Sequence, residues 1–281
     1  MKVIRSIKKM QSYAHALAAQ GKTIGLVPTM GFLHEGHRSL IRRAKREADV
    51  VITSIFVNPA QFAPHEDFSR YPRDEKGDIR KVRGAGGDIV FIPRATEMYP
   101  NSFQTFVTVE KLSDFLEGSV RPGHFRGVAS VVAKLFHLTR PDVAVFGMKD
   151  FQQSVILRQM TAELGYPIKF IVAPTKREPG GLAMSSRNKY LDSTARREAV
   201  CLYYSLRTAS QLVRSGELQA GKIAREMRSV IRATCPAAKI DYIAFTDTKT
   251  LKQAKSVQPG TVVSLAVRVH GVRLIDNMKL R

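Results

Sequence analysis

Thr23-Ile24-Gly25-Leu26-Val27-Pro28-Thr29-Met30-Gly31-Phe32-Leu33-His34-Glu35-Gly36-His37 is the stretch on which the fold turns. Residues 23–28 form a short apolar run, which reads as a buried strand. Residues 35–48 follow with Leu40, Ile41, Ala44 and Ala48 at helical spacing, so the spacing predicts a helix that begins near His34 or Glu35. A buried strand passing through a short glycine-containing loop into an amphipathic helix is the first half of a βαβ unit.

The same alternation continues outward. Apolar runs at 50–57, 88–92, 143–146 and 168–172 read as further strands, and helices are expected near 123–139 and 150–164. The helix at 123–139 is apolar through Val128, Val131, Val132, Leu135 and Phe136, which predicts packing against the sheet. Strands and helices in alternation imply a parallel sheet, hence an α/β, Rossmann-like domain whose ligands lie at the carboxyl ends of its strands.

The pattern changes after about residue 175. Helices are expected at 192–214, with Asp192-Ser193 suited to the N-cap, and at 217–233. Strands follow at 240–245, 261–269 and 272–275, the last two joined through His270-Gly271 as a hairpin. This is a smaller α+β C-terminal domain. The stretch Pro174 to Gly181, rich in proline, glycine and charge, marks the boundary and divides the chain into 1–176 and 177–281.

The chain has 281 residues, 44% of them hydrophobic, which is enough for a large core. No apolar run approaches the ~20 residues that span a bilayer, and the basic N-terminus lacks the apolar segment of a signal peptide. A cytoplasmic protein without a membrane partner is therefore expected. Two cysteines, Cys201 and Cys235, lie far apart in sequence and read as free thiols. The net charge of +21 is spread along the chain. It favours polyanions in general, but there is no tryptophan and most phenylalanines sit in apolar runs, so no specific nucleic-acid partner is expected.

The loop carries the chemistry. A helix N-terminus offers unpaired N–H groups and a partial positive charge to an anion. His34 and His37, three residues apart, lie near one face of the first turn, and Gly36 lets a ligand approach the backbone. Imidazoles placed there can donate to phosphate oxygens as charge develops. His34-Glu35-Gly36-His37 is one residue short of the zinc-protease spacing, and Gly21-Lys22-Thr23 precedes a strand, so neither a zinc site nor a P-loop is implied.

These residues resemble the His-x-Gly-His signature of the nucleotidyltransferase superfamily, and the longer string Pro28 to His37 resembles the pantothenate synthetase family. Five further stretches resemble the same family: Ser54 to Phe62, Tyr71-Pro72-Arg73 with Asp78, Arg121 to Val128, Phe146 to Gln153, and Met184-Ser185-Ser186-Arg187-Asn188. The resemblance is dense over residues 1–190.

The resemblance implies an ATP-dependent ligase of pantothenate and coenzyme A biosynthesis. Pantoate would attack the α-phosphorus of ATP to give pantoyl-adenylate, and β-alanine would then take the acyl group. ATP would be held by Met30, Gly31, Phe32, Leu33, His34, Glu35, Gly36, His37, Gly147, Met148, Lys149, Asp150, Lys176, Met184, Ser185, Ser186 and Arg187. Of these, His34, His37, Lys149 and Arg187 are the implied catalytic groups. Pantoate and β-alanine would meet Pro28, Thr29, Asn58, Gln61, Val131, Val132 and Gln153. Asp78 would help hold Mg²⁺, and the family implies a homodimer. Met148, Lys176 and Gly180 depart from the family pattern. The alternative is another small-molecule nucleotidyltransferase of the same superfamily, which would have no need for Gln61 and Gln153 together.

Overall fold

The computed structural model describes residues 1–64 and 66–280; His65 and Arg281, the end of the expected second domain, lie outside the described residues. The chain separates into two compact units. The first comprises Met1–Met148 and Gln153–Pro174, and the second Lys149–Gln152 and Thr175–Arg281.

In the first unit the elements run β1 (Lys2–Ile4), α1 (Ile7–Ala19), β2 (Ile24–Thr29), α2 (Glu35–Lys45), β3 (Val50–Ile55), α3 (Glu75–Gly84), β4 (Ile89–Phe91), the one-turn helices α4 (Ala95–Met98) and α5 (Glu117–Val120), α6 (His124–Thr139), β5 (Val143–Gly147), α7 (Phe151–Glu163, whose first two residues group with the second unit) and β6 (Lys169–Ala173). Among the described residues six strands form one sheet in the order β1-β4-β3-β2-β5-β6, with every pair parallel. The alternating faces of the strands explain its two cores. Leu26, Ile52, Phe91, Ala144 and Phe146 point to one side, where they join residues of α1, α6 and α7. Val27, Val51, Val90, Val143 and Val145 point to the other, against Ile41 and Ala44 of α2 and Val82 of α3.

Strand order reverses at β2. The helix after β2 covers one face of the sheet, and the helix after β5 covers the other, so the chain leaves these two neighbouring strands toward opposite faces, which makes the end of β2 the sheet's switch point. The decisive loop, residues 30–34, leaves β2 at that switch point.

Two N-terminal elements were not expected. β1 is three residues long, too short to show a period, and it pairs with the edge of β4. α1 starts at Ser6, whose hydroxyl accepts the Lys9 N–H, and buries Met10, Ala14 and Leu17 at i, i+4, i+7.

In the second unit α8 (Ser193–Glu198), α9 (Cys201–Arg214) and α10 (Ala220–Thr234) precede β7 (Lys239–Thr246), β8 (Val262–Val269) and β9 (Val272–Lys279). The three strands are antiparallel in sequence order, and α9 and α10 share an apolar core with them. His270 and Gly271 have φ of 45° and 83°, the positive pair that a two-residue hairpin of the expected kind demands. The single helix expected over 192–214 is two. At Ala199 and Val200 ψ flattens to −16° and −14°, which interrupts the regular ladder.

Candidate active site

In the first unit, the loop after β2 is built by its own backbone and one distant carboxylate. Gly31 and Phe32 both lie in the left-handed region, with φ of 84° and 50°. Gly31 suits that conformation, and a Cβ there would also press on Ile55 and Asp78 at 3.1 Å. Phe32 does not suit it, so something must hold it. Asp78 does so: its two carboxylate oxygens accept the N–H groups of Phe32 and Leu33, each at 2.7 Å. Thr29 contributes from the strand end, accepting the Gly31 N–H at 3.2 Å while donating to the Ser54 carbonyl at 2.7 Å.

His34 is the N-cap of α2, in extended conformation, and its N–H donates to Nδ1 of His37 at 3.3 Å. The two rings lie 4.0 Å apart between centroids. An Nδ1 that accepts a backbone proton leaves the neutral ring's proton on Nε2, so this geometry assigns His37 as an Nε2–H donor. Both histidines are half-buried. Glu35 is turned to Arg38 and Arg42 on its own helix, and Gly36 is the second helical residue of α2.

Gln61 lies beside this loop. It ends the turn Pro59–Gln61, whose N-cap is Asn58. The Asn58 amide donates to Gln61 Oε1 at 3.0 Å and to the Gly127 carbonyl at 3.1 Å, and its own oxygen accepts the Ala60 N–H at 3.2 Å. Asn58 is 1% exposed, so it is a positioning residue rather than the substrate contact that the resemblance implies: its polar atoms are already committed. With Oε1 fixed, Gln61 presents Nε2, which reaches the Met30 sulfur at 3.2 Å. Thioether sulfur is a weak acceptor, and an incoming hydroxyl or carboxylate oxygen would be a better one.

The turn fits only because residue 127 has no side chain. A Cβ on Gly127 would fall 2.1 Å from the Ala60 carbonyl oxygen. On the same segment His124 Nδ1 meets the Gln61 carbonyl at 2.8 Å and its Nε2 faces Arg121 at 3.1 Å, while Arg121 chelates Glu66 at 2.6 and 2.8 Å. Burial first, and then the Arg121 charge, pull His124 down to about 4, so the ring is neutral. Burial pushes the Glu66 carboxyl up, but its bonds to Arg121 outweigh this and leave it lowered. A cavity of about 220 Å³ is bordered by Gln61, Glu66, Phe106, Arg121, His124 and Arg126. Arg121 and His124 were not expected as site residues. They are 60 and 63 residues from Gln61 in sequence, and only packing of α6 brings them to it.

Val131 and Val132 lie in the apolar core with Phe56 and Leu26, Pro28 is half-buried near the end of β2, and Gln153 is half-buried in α7. Gly147 closes β5, and its carbonyl accepts from Ser154 at 3.3 Å.

Asp78 does not fit the metal role. Its side chain is 1% exposed, both oxygens accept loop N–H groups, and burial raises its carboxyl in spite of those donors. Among the described residues, the group of three His, Cys, Asp or Glu side chains close enough to share an ion lies in the second unit and contains no residue of this loop.

In the second unit, Lys149, Ser185 and Arg187 border one small cavity together with Asp276. Lys149 lies 3.5 Å from Asp150, and its carbonyl accepts the Asn277 amide at 2.8 Å. Ser185 caps a short turn by accepting the Arg187 N–H at 3.2 Å; Ser186 is buried as its first residue. Lys176 accepts the Met184 N–H at 2.9 Å. One residue on, Arg177 grips Asp276 at 2.6 and 3.1 Å and lies 4.6 Å over the Tyr203 ring, which anchors the segment. Met148 stands at the end of the first unit, next to Lys149 in sequence.

The family model described as pantoate-beta-alanine ligase matches residues 2–279. Pantothenate synthetase of Moorella thermoacetica is 49% identical over 280 residues, covering 100% of this chain and 99% of its own, and that of Geobacter sulfurreducens is 47% identical with the same coverage. The crystal structure of pantothenate synthetase from Thermus thermophilus matches with a TM-score of 0.94 at 40% identity over 99% of both chains. A pantoate-beta-alanine ligase from Francisella tularensis, complexed with beta-gamma ATP and beta-alanine, matches with a TM-score of 0.82 at 36% identity over 99% of this chain and 97% of its own.

Proposed function

The chain belongs to the pantoate–β-alanine ligase family, and on that premise we propose how its residues join pantoate to β-alanine with ATP. The ligation itself follows from membership across the full length. The residue roles and the intermediate are our reading.

Pantoate's carboxylate oxygen attacks the α-phosphorus of ATP. The bond from that phosphorus to the bridging oxygen breaks, and diphosphate leaves. The product is pantoyl-adenylate, a mixed anhydride activated enough that no covalent enzyme nucleophile is needed. The amine of β-alanine then attacks the acyl carbon, AMP departs, and the amine proton passes to solvent. Catalysis is positioning and charge stabilisation.

The observation that carries the assignment is the His34–His37 contact, which leaves Nε2 as the donor atom of the neutral His37 ring, in the first turn of a helix that starts at the sheet's switch point. We assign His34 and His37 to the α- and β-phosphate region, backed by the backbone of residues 30–36. Lys149, Ser185, Ser186 and Arg187 are assigned to charge developing on the leaving diphosphate, with Gly147, Met148, Asp150, Lys176 and Met184 as further nucleotide contacts. Gln61 and Gln153 are assigned to pantoate's oxygens, Pro28, Thr29, Val131 and Val132 to its remaining surface, and β-alanine to the cavity beside Gln61. The first unit, 1–176 in its expected form, would bind ATP and pantoate, with 177–281 supplying the Ser-Ser-Arg segment. Mg²⁺ would travel with ATP, held by phosphate oxygens and water and neutralising their charge.

Among the described residues no helix is long and apolar enough to cross a membrane. A homodimer in the cytoplasm is proposed from the family, and sedimentation of the purified protein tests the dimer.

The decisive experiment supplies pantoate labelled with ¹⁸O in its carboxylate. Attack on the α-phosphorus and later acyl transfer must leave one labelled oxygen in AMP. Pantothenate formed with unlabelled AMP would sink the adenylate.

A further inference from the structure

We propose that Glu198, Cys235 and His270 form a binding site for a zinc-like divalent cation in the second unit, with water as the fourth ligand. The site is separate from every residue assigned above to the ligation. Glu198 ends α8, Cys235 is the C-cap of α10, and His270 opens the turn between β8 and β9. Three elements distant in sequence therefore deliver one oxygen, one sulfur and one nitrogen, all within 4.8 Å of one another.

The chemistry of the set selects the ion. Thiolate, imidazole and carboxylate together suit Zn²⁺, whereas Mg²⁺ and Ca²⁺ take oxygen ligands. Tetrahedral bonds of about 2.0–2.3 Å require ligand atoms roughly 3.3–3.8 Å apart. The His270–Glu198 pair, 2.8 Å apart, must open by about 0.5 Å to reach that range, and the sulfur pairs, within 4.8 Å, must close toward it; His270 is exposed and Glu198 half-buried, so both have room to move over the buried Cys235. Two surface ligands over one buried ligand leave one coordination position facing water.

Without an ion the three groups satisfy one another. His270 Nε2 lies 2.8 Å from Glu198 Oε2, and the hydrogen bond from His270, followed by that from the Cys235 thiol, lowers the Glu198 carboxyl. Burial, and then its hydrogen bond with Glu198, raise the Cys235 thiol. A cation entering the cluster forms a sulfur–metal and a nitrogen–metal bond: the thiol proton leaves to solvent, and the imidazole takes the tautomer protonated on its other nitrogen, giving up its hydrogen bond to Glu198. Cys201 lies three residues beyond Glu198. Its thiol is buried and is not one of the three groups that converge.

Bound metal would tie α8, α10 and the β8–β9 turn together and so stabilise the unit that carries the Ser-Ser-Arg segment.

The test uses full-length protein freed of metal by chelation and titrated with Co²⁺. One equivalent should produce thiolate-to-cobalt charge-transfer absorption, which added Zn²⁺ abolishes. Cys235→Ser should lose that band, and Cys201→Ser should keep it. His270→Asn, chosen because asparagine tolerates the left-handed backbone, should bind at least about tenfold more weakly. It should retain wild-type ligation, which keeps this outcome separate from the reading of the active site. No charge-transfer band, a band that survives in Cys235→Ser, or unchanged affinity in His270→Asn would each overturn the site. His270→Asn decides the matter if Cys235→Ser fails to fold.

Discussion

The carboxylate of Asp78 accepts the N–H of Phe32 at 2.7 Å from 46 residues further along the chain, and so holds a non-glycine residue in a left-handed backbone. A residue that resembled a metal ligand is instead the clamp on the loop before the two histidines. Asp78→Ala leaves the N–H groups of Phe32 and Leu33 without their acceptor. Bonds to charged acceptors contribute about 1.5–3 kcal/mol each, so the two together set an upper bound of roughly 3–6 kcal/mol on the loss expected in denaturant unfolding. Asp78→Asn, with one oxygen left, should fall between. A variant of full stability with altered Mg²⁺ dependence would restore the metal role.

His37→Ala should slow adenylation by about 10²- to 10³-fold with the fold intact, the usual loss for a donor aimed at developing charge. Diphosphate release under single-turnover conditions measures it. A near-wild-type rate would remove His37 from the reaction.

Asn58 and Gln61 should separate by kinetics. Gln61→Ala removes the proposed contact to pantoate, and a hydrogen bond of about 1.4 kcal/mol corresponds to a tenfold weaker substrate interaction. Asn58→Ala leaves the Gln61 amide unoriented and should show a similar rise in KM with an added fall in stability, because the Gly127 carbonyl also loses its donor. Equal stability in both variants would contradict the positioning role.

Gly127→Ala should destabilise strongly. The added methyl must displace the Ala60 carbonyl, a backbone group on the Gln61 turn, and overpacking of this kind costs about 1–3 kcal/mol or more. Thermal unfolding and the KM for pantoate should worsen together. A shift in neither would mean that α6 and the turn can separate freely.

His124 should make stability fall with acid. Its folded value, about 4, lies below the unfolded 6.5, so the unfolded chain binds more protons between these limits. Stability is full above about pH 6.5 and is lost as pH falls toward 4, by at most about 3 kcal/mol from this group. His124→Gln should flatten that slope in urea titrations at successive pH values. An unchanged slope would assign the acid sensitivity to other groups.

The sequence alone determined the class of the fold and the address of its chemistry. Short apolar runs alternating with period-3.6 helices compel a parallel sheet, because each such strand must be covered on both faces. The spacing of Gly31, His34, Gly36 and His37 is a local property, legible wherever a strand runs into a helix. Short β1 and the break at Ala199 and Val200 escaped, since three residues show no period and a flattened ψ leaves no mark in composition. Tertiary structure alone decided that Asp78 grips the loop rather than an ion, that Asn58 serves Gln61, that Arg121 and His124 reach the Gln61 carbonyl, and that Glu198, Cys235 and His270 meet. Each of these depends on where a side chain's hydrogen-bonding atoms find partners after distant segments pack, and sequence spacing carries no record of that.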